Sequence, residues 1–306
     1  MLIRLIFRKL LTEMSVVCGF FCNFANELCA CAYKSKKISG NQMKRILFVN
    51  QDIIPYVEET ELSKMGKLVP QKIQEAGAEI RTFMPRWGNI NERRGQLHEV
   101  IRLSGINISI DDTDHPLIIK VASIMGTKVQ VYFIDNEEFF SRKGQMTDEN
   151  GAFYNDNNER IVFFARGVVE TIKKLRWTPD IIHCQGQLAQ LLPLFLKKAY
   201  KNEPGMEDIK VVTSLYEETQ DVPFGDNFKR CMLFNELTID DLEKYNETID
   251  GTELAKIAID YSDGVIKASK NIKKEILDYA DASSAKLLDQ PEGDFAKEYI
   301  DFYESL

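Results

Sequence analysis

The sequence predicts an α/β protein with a Rossmann-like, doubly wound and mainly parallel sheet that carries helices on both faces. Two observations support this prediction. Residues 43–88 read as strand, loop, helix and strand, and short apolar runs then alternate with helical patterns through most of the chain. Such alternation is typical of parallel sheets, because their crossover connections are usually helices.

The first unit contains the expected ligand-binding loop. An apolar strand at Arg45–Asn50 leads through a loop into a helical pattern over about 62–75. Gly77 ends that helix, and a second apolar run follows at 79–84. Doubly wound sheets bind ligands at the carboxyl ends of their strands, where this loop lies.

The later segments continue the same alternation. Strand-like runs occupy 99–110, 117–123, 128–134, 181–184, 210–215 and 264–268. Helical patterns occupy 159–175, 188–200, a stretch around 253–262, and 271–279. We expect a folded domain over 43–280, followed by a polar tail at 281–306 with one amphipathic stretch near 295–302.

Composition narrows the class of protein. A hydrophobic fraction of 44% and a charged fraction of 28% are those of a soluble globular chain. The net charge of −8 argues against a nucleic-acid partner, which needs a concentrated basic face. No run of 18 apolar residues occurs, so we expect no membrane-spanning helix.

Residues 1–42 differ from the rest and hold four of the six cysteines. We favour an extension that is unstructured or not normally translated, with the folded protein beginning at Met43. Two alternatives remain open. A targeting peptide fits the basic start, although Glu13 interrupts its apolar region. A zinc site would use Cys18, Cys22, Cys29 and Cys31, whose spacing fits loosely. Elsewhere, Cys184 and Cys231 are typical of reduced thiols in a cytoplasmic protein.

The loop after the first strand is acidic. It reads Glu58-Glu59-Thr60-Glu61, with three carboxylates and no glycine. A phosphate-binding loop is usually glycine-rich, so that its backbone N–H groups can approach the anion. The architecture therefore favours a nucleotide-sugar enzyme, whereas the chemistry of this loop argues against one.

Several separate segments resemble one known family. The segments KRILFVNQDIIPYV, RTFMPRWGNI, VYFIDNEEFF, YNDNNERIVFFARGVVETIKKLRWTPDIIHCQGQ and AIDYSDGVIKAS resemble the N-terminal domain of bacterial glycogen (starch) synthases. These are glycosyltransferases of GT-B fold that use ADP-glucose. The resemblance covers about 43–276 and implies one Rossmann-like half of a two-domain enzyme, with the glucan acceptor lying largely on this half. The family's second domain holds most of the donor nucleotide. Too few residues follow position 276 to form that domain, so we expect it to be absent here.

The chain departs from the family at the positions that the resemblance assigns to chemistry. The family's Lys-Thr-Gly-Gly-Leu corresponds here to Glu58-Glu59-Thr60-Glu61-Leu62. Its His-Ala-His-Asp-Trp-His corresponds to residues 183–188, where only His183 matches a histidine, Gly186 replaces the aspartate and Leu188 the last histidine. In the next strand, Thr-Ile-His-Asn becomes residues 213–216, which lack the histidine. Positions typical of the scaffold match well, so we expect a retained fold whose transferase site has been lost.

The candidate substrate-binding residues all lie at strand ends or in the first loop. They are Glu58, Glu61, His183, Gln185, Gln187 and Tyr216. Four of them have a structural alternative. The two glutamates would be solvated loop residues, His183 would bond neighbouring backbone, and Tyr216, like Tyr56 and Trp87, would be a packing residue. No catalytic residue can be assigned, and we predict no metal site and no cofactor.

Two hypotheses follow. The first is a divergent ADP-glucose:α-1,4-glucan glucosyltransferase, completed by a partner chain that supplies the missing domain. The second is a non-catalytic Rossmann-like domain, a pseudoenzyme that keeps a glucan- or partner-binding surface for regulation or scaffolding in glycogen metabolism. Because the second domain would normally cover part of this half, we also predict self-association or a protein partner along the carboxyl edge of the strands.

Overall fold

A computed structural model describes residues 44–217, 221–293 and 295–306. The interpretations of the extension at 1–42 lie outside these residues. No helix within them is both long enough and apolar enough to cross a membrane.

The described residues form a ten-stranded mixed sheet in the order β10-β9-β8-β7-β1-β2-β6-β5-β3, with β4 paired to β5. The strands are β1 (Arg45–Asn50), β2 (Glu79–Pro85), β3 (His98–Glu99), β4 (Ile106–Ile110), β5 (Thr113–Ser123), β6 (Gln130–Asp135), β7 (Ile181–Gln185), β8 (Lys210–Leu215), β9 (Gly264–Lys267) and β10 (Lys286–Asp289). Seven strands from β10 to β6 run parallel, and the pairings of β5 with β3, β4 and β6 are antiparallel. The predicted mainly parallel sheet is confirmed.

The α-helices are α1 (Glu61–Glu75), α2 (Glu92–Gly95), α3 (Glu137–Phe140), α4 (Asn157–Leu175), α5 (Leu192–Leu194), α6 (Phe228–Met232), α7 (Gly251–Asp260), α8 (Lys274–Ala282) and α9 (Ala296–Ser305). Short 3-10 turns lie at Gln187–Ala189 and Ile239–Leu242, and a π-helical turn lies at Phe195–Ala199.

Alternation along β1 assigns the helices to two faces of the sheet. Leu47 and Val49 pack in the cluster that contains the inner face of α4. Ile46 and Phe48 point the other way and pack with α1 and α9. Successive strand residues face opposite sides, so the sheet is covered on both. Each such buried apolar side chain contributes about 1.5–3 kcal/mol relative to an exposed one.

Two predicted elements are interrupted. The strand predicted over 99–110 divides into β3 and β4, because the chain turns between them and Gly105 takes a positive φ of 83°. The helix predicted over 188–200 divides into a 3-10 turn, α5 and the π turn. Pro193 lies within α5, where it has no N–H to continue an earlier helix.

The segment 281–306, predicted as a polar tail, contributes to the fold. Its first part forms β10, which pairs in parallel with β9. Its second part forms α9, whose Tyr299 and Tyr303 are 0% and 1% exposed. Tyr299, Phe302 and Tyr303 recur at helical spacing and pack against β1, β7 and β8. The amphipathic stretch near 295–302 is thus a core-packing helix.

Candidate functional site

The carboxyl ends of the central strands border a cleft of about 500 Å³. Its lining residues come from the segments after β1, β2, α3, β7 and β8. They are Gln51, Asp52, Glu58, Thr60, Asn89, Gln145, Met146, Thr147, Gln187 and Glu217. Because parallel strands bring their carboxyl ends to one edge, residues distant in sequence meet here.

The first loop is held firmly by its neighbours. The Trp87 indole N–H donates to the Gln51 carbonyl at 2.9 Å and to Asp52 Oδ1 at 3.1 Å. The same Asp52 oxygen accepts from Gln145 Nε2 at 2.7 Å. A Cβ at Gly66 would lie 2.2 Å from the Asp52 carbonyl oxygen, so α1 approaches the loop as closely as glycine allows. Asp52 is 4% exposed and is therefore positioned at the cleft by several fixed contacts.

The amino terminus of α1 is capped by its own side chains. Thr60 Oγ1 accepts from the Ser63 N–H at 3.1 Å, and Ser63 Oγ accepts from the Thr60 N–H at 2.8 Å. Ser63 Oγ also lies 2.8 Å from the Glu58 carbonyl, to which it donates. In a nucleotide-binding version of this unit, such N–H groups face phosphate. Here two of them are already bonded within the loop.

The turn after β7 is built on a glycine. Gly186 has φ +88°, and a Cβ there would lie 2.6 Å from Gln51 Cβ. Gln51 Oε1 accepts from the Leu188 N–H at 3.0 Å, which joins this turn to the end of β1. Gln187 follows the glycine and lines the cleft; it is 4% exposed, and its Nε2 has no hydrogen-bond partner within the described part of the chain.

The cleft is acidic and rich in amides. Asp52, Glu58 and Glu217 contribute carboxylates, and four amides lie beside them. Glu217 Oε2 accepts from Asn271 Nδ2 at 3.1 Å. Among the described lining residues there is no lysine, arginine or histidine. The described residues also contain no group of three or more histidine, cysteine, aspartate or glutamate side chains suited to a metal ion.

Comparison with known proteins identifies the family. The family model described as starch synthase catalytic domain matches residues 45–289. The chain belongs to that family. The match includes all ten described strands completely, from the first residue of β1 to the last residue of β10.

Curated relatives and a solved structure agree with this starch synthase family membership. The chain is 39% identical over 173 residues to the glycogen synthase of Chlorobium limicola, and 33% identical over 233 residues to that of Chlorobaculum parvum. These matches cover 56% and 76% of the chain, but only 35% and 47% of the two relatives. The chain therefore spans between a third and a half of their length.

The fold matches the catalytic domain of starch synthase IV from Arabidopsis thaliana, solved bound to ADP and acarbose. The TM-score is 0.66 at 15% identity, over 83% of this chain and 52% of that one. At this identity the likeness shows the fold, which is one half of the GT-B architecture expected from the sequence.

His183, the candidate that matches a histidine of the starch synthase family motif, is buried inside the domain. His183 is 0% exposed. Its Nδ1 lies 2.8 Å from the Tyr303 hydroxyl, and its Nε2 lies 2.7 Å from Ser214 Oγ. Burial lowers the pKa of this imidazole to about 3, so the ring is neutral at pH 7. The structure places it beneath α9 with side-chain partners, rather than with the backbone partners expected of a packed histidine.

The other predicted site residues separate into three groups. Glu58 and Gln187 line the cleft. Gln185 and Tyr216 are buried and bonded to each other, the tyrosine hydroxyl donating to Gln185 Oε1 at 3.1 Å. Glu61 is exposed in the first turn of α1 and does not line the cleft.

Sequence reasoning missed most of the cleft. Gln51 and Asp52 directly follow β1, and their position at a strand end is the signal that could have found them. Asn89, Gln145 and Thr147 come from irregular segments with no periodic pattern, so nothing local in the sequence marks them.

Proposed function

We propose that this chain is a starch synthase-like domain that binds α-glucan in the cleft at the carboxyl edge of its sheet. In this proposal the domain acts in glycogen metabolism without catalysing transfer from ADP-glucose on its own. The observation that carries the proposal is the lining of the cleft, which combines amides and carboxylates and has no basic side chain among its described members.

The lining suits sugar hydroxyl groups. A hydroxyl can donate to a carboxylate and accept from an amide N–H at the same time. Asp52 is fixed by Trp87 and Gln145, and Gln187 offers an unpartnered amide donor. A buried donor without a partner is costly, and a ligand oxygen that accepts from it removes that cost. A protein of the same fold, starch synthase IV from Arabidopsis thaliana, has been solved bound to ADP and acarbose, which is consistent with a carbohydrate ligand.

The first loop argues against the diphosphate of a sugar nucleotide. Glu58 lines the cleft where the family has a lysine, and the first turn of α1 carries Glu61 and a closed capping box. Replacing a cation by a carboxylate reverses a Coulomb term of about 4 kcal/mol for a 4 Å pair near a protein surface. Gly186 bears on transfer rather than on phosphate binding: an aspartate at this position of the family motif would need a strained φ and would contact Gln51.

The alternative is the enzyme itself, in which this domain transfers glucose from ADP-glucose to the 4-OH of an α-1,4-glucan together with further protein. The names of the curated relatives favour this alternative. Calorimetric titration of the purified chain with ADP-glucose, run beside retention on glycogen, separates the two. Glycogen retention without nucleotide binding supports the proposal, whereas micromolar ADP-glucose affinity or incorporation of labelled glucose overturns it.

Substitution at Gln187 ties the binding to this cleft. We expect Gln187→Leu to weaken maltotriose binding by about tenfold, since the neutral hydrogen bond is lost and its ligand oxygen is left unsatisfied. Gln190→Leu is the matched control, because Gln190 belongs to the same turn and is also buried, at 7% exposure against 4% for Gln187, but does not line the cleft. Equal effects of the two variants would place the glucan elsewhere.

Location and assembly remain parts of the proposal. Free, buried Cys184 and Cys231 support a cytoplasmic protein. Self-association along the carboxyl edge stays a prediction without support from the described contacts, and sedimentation at increasing concentration tests it.

A further inference from the structure

Arg160, near the start of α4, is a fully buried arginine. It is 0% exposed, and its Nε and Nη2 have no hydrogen-bond partner among the described residues. Burial, assisted by the nearby charge of Arg142, lowers the pKa of Arg160 to about 10, so the guanidinium remains charged at pH 7. Taking such a charge out of water is costly, and an apolar side chain of similar size often stabilises a core at least as well. Stability alone therefore does not account for an arginine at this position.

Three aromatic rings lie around the Arg160 guanidinium. Its Cζ is 5.4 Å from the ring centroids of Trp87 and Phe140, and 5.3 Å from that of Tyr154. Trp87 and Phe140 also meet edge to face, with their centroids 5.5 Å apart. A cation within about 6 Å of a ring is attracted to its face. The guanidinium therefore restricts the orientation of the Trp87 indole.

The Trp87 indole joins Arg160 to one wall of the cleft. Its N–H donates to the Gln51 carbonyl at 2.9 Å and to Asp52 Oδ1 at 3.1 Å. Gln51 and Asp52 both line the cleft. Because the N–H is fixed on a rigid ring, and hydrogen bonds weaken steeply when they are misaligned, a rotation of the indole would disturb both contacts.

Asn157 joins Arg160 to the opposite wall. Arg160 Nη1 donates to Asn157 Oδ1 at 2.7 Å, and Asn157 Nδ2 donates to the Met146 carbonyl at 2.8 Å. The arginine thus fixes which side of the Asn157 amide faces Met146, since only the nitrogen of an amide donates. Met146 and Gln145 line the cleft, and Gln145 Nε2 donates at 2.7 Å to the same Asp52 oxygen that Trp87 contacts.

The two paths from Arg160 converge on one cleft residue, Asp52. We propose that Arg160 is a positioning residue for the glucan site, which holds Trp87 and Asn157 so that both walls of the cleft keep the geometry that sugar requires. This inference rests on the proposed carbohydrate site. Arg160 is not among the described lining residues, so it acts through these side chains rather than on the ligand. The role needs a flat cation that contacts several rings and also donates in a fixed direction, which is specific to arginine.

Methionine substitutions at two arginines of α4 test the proposal. Arg166→Met is the matched control, because the Arg166 Cζ lies 4.2 Å from the Phe234 ring centroid and its Nη1 donates to the Ser109 carbonyl. None of these three residues lines the cleft. We expect Arg160→Met to weaken maltotriose binding by about tenfold, the equivalent of one lost hydrogen bond. Arg166→Met should change it by less than about twofold. NMR titration measures both affinities.

Urea unfolding separates positioning from a purely structural role. The urea midpoint of Arg160→Met should stay close to that of the parent chain, because losing a buried charge offsets the loss of its contacts and methionine still packs against the rings. A purely structural arginine would behave in the opposite way. Its removal would lower the midpoint and leave the affinity of the folded protein unchanged.

The indole N–H signals report on the cleft wall without any sugar. The chain has two tryptophans, so ¹⁵N-labelled tryptophan gives two indole signals, which Trp177→Phe assigns. Trp177 follows the other end of α4 and donates to Glu79 Oε1 at 2.7 Å, so its signal is the internal control. In Arg160→Met the Trp87 signal should shift and exchange faster with solvent, whereas the Trp177 signal should not change.

A second variant keeps the test decisive if Arg160→Met does not fold. Arg160→Lys retains a cation but lacks the planar fork, so it should shift the Trp87 signal and weaken maltotriose binding by a smaller factor. Unchanged affinity in a folded Arg160 variant overturns the inference, as do equal losses in Arg160→Met and Arg166→Met. If the parent chain binds no maltotriose, the proposed glucan site fails, and the Trp87 signal alone decides whether Arg160 holds the cleft wall.

Discussion

His183 and Gln187 belong to one short segment, β7 and the turn that follows it, yet they occupy opposite environments. Both ring nitrogens of His183 lie within hydrogen-bond distance of a hydroxyl, and the side chain is fully buried. Gln187 lines the cleft and has an amide donor without a partner in the described chain. The residue that resembles the family is part of the core, and the residue that departs from it faces the cleft.

The difference arises from what covers each side of the strand end. Helix α9 lies over His183 and supplies Tyr303, so the ring is enclosed. Gly186 then turns the chain with a positive φ, and Gln187 emerges at the cleft. Position at a strand end therefore does not define a site residue, because a helix from elsewhere in the chain decides whether that end is open.

Among these predictions, truncating Tyr303, which encloses His183, should lower the stability of the fold the most. Tyr303 is 1% exposed and packs among Phe48, Tyr299 and Phe302. We expect Tyr303→Ala to lower the free energy of unfolding by about 3–5 kcal/mol, the range for truncating a buried aromatic side chain. Urea unfolding measures this change. Tyr303→Phe keeps the ring and removes only the hydroxyl, so it should cost about 1–2 kcal/mol. A loss below about 1 kcal/mol for Tyr303→Ala would mean that α9 is not packed on the sheet.

The enclosed histidine should also make stability depend on pH. Burial lowers the pKa of His183 from 6.5 to about 3 in the folded protein. Between these values the unfolded chain binds a proton that the folded chain does not, so stability falls as pH is lowered from about 6.5 toward 3. At pH 4.5 the expected loss is about 2–3 kcal/mol relative to pH 7, at 1.36 kcal/mol for each pH unit.

A variant isolates this contribution from that of the carboxylates. His183→Gln cannot take up the proton, so its unfolding free energy should fall less steeply between pH 6.5 and 4.5 than that of the parent chain. Parallel curves for the two proteins would contradict the buried, neutral state of His183. Direct observation by NMR provides a second measurement, because the His183 ring signals should not shift over that interval.

Much of the fold could be predicted because its segments carry strong local patterns. The bounds of β1 and β8 agree with the predicted strands at both ends, and the periodic stretch at 159–175 lies inside α4. In these segments the spacing of the apolar residues matches the periodicity of the strand or helix that they form. Tertiary packing then favours the same structure as the local pattern. For helix α9 the sequence predicts only an amphipathic stretch, since the partners of this helix lie far away in the chain: Tyr303 meets His183 across 120 residues.

The site was less predictable for the same reason. Glu58 and Gln187 can be predicted because they occupy positions of family motifs, whereas Asp52 and Gln145 meet only through folding, across 93 residues. Nothing in the sequence distinguishes Gln185, which is buried against Tyr216, from Gln187, which faces the cleft. That distinction depends on the positive φ of Gly186.

A substitution at Gly186, in the turn after β7, should lower stability by an intermediate amount. Gly186→Ala adds a Cβ at φ +88° and 2.6 Å from Gln51 Cβ, so it combines backbone strain with a steric clash. We expect a loss of about 2–4 kcal/mol in unfolding free energy, of which about 1–2 kcal/mol comes from the backbone conformation. Gly77→Ala is the matched control, because Gly77 has φ +106° but open space around its missing Cβ. Equal losses would mean that Gln51 moves freely, and that the turn does not fix Gln187.

Removing the N-terminal cap of α1 should have the smallest effect on stability. Thr60→Ala removes the oxygen that accepts from the Ser63 N–H, and we expect it to cost about 1 kcal/mol of stability, whereas Thr60→Ser should be nearly neutral. Urea unfolding of the two variants provides the measurement. The result bears on ligand chemistry as well as on stability. If Thr60→Ala costs nothing, the cap is not formed in solution, the Ser63 N–H is available to an anion, and one obstacle to a nucleotide diphosphate at this loop is removed. If the cap contributes as expected, a phosphate must displace it and also approach Glu58, so the acidic loop and the capped helix exclude the same ligand.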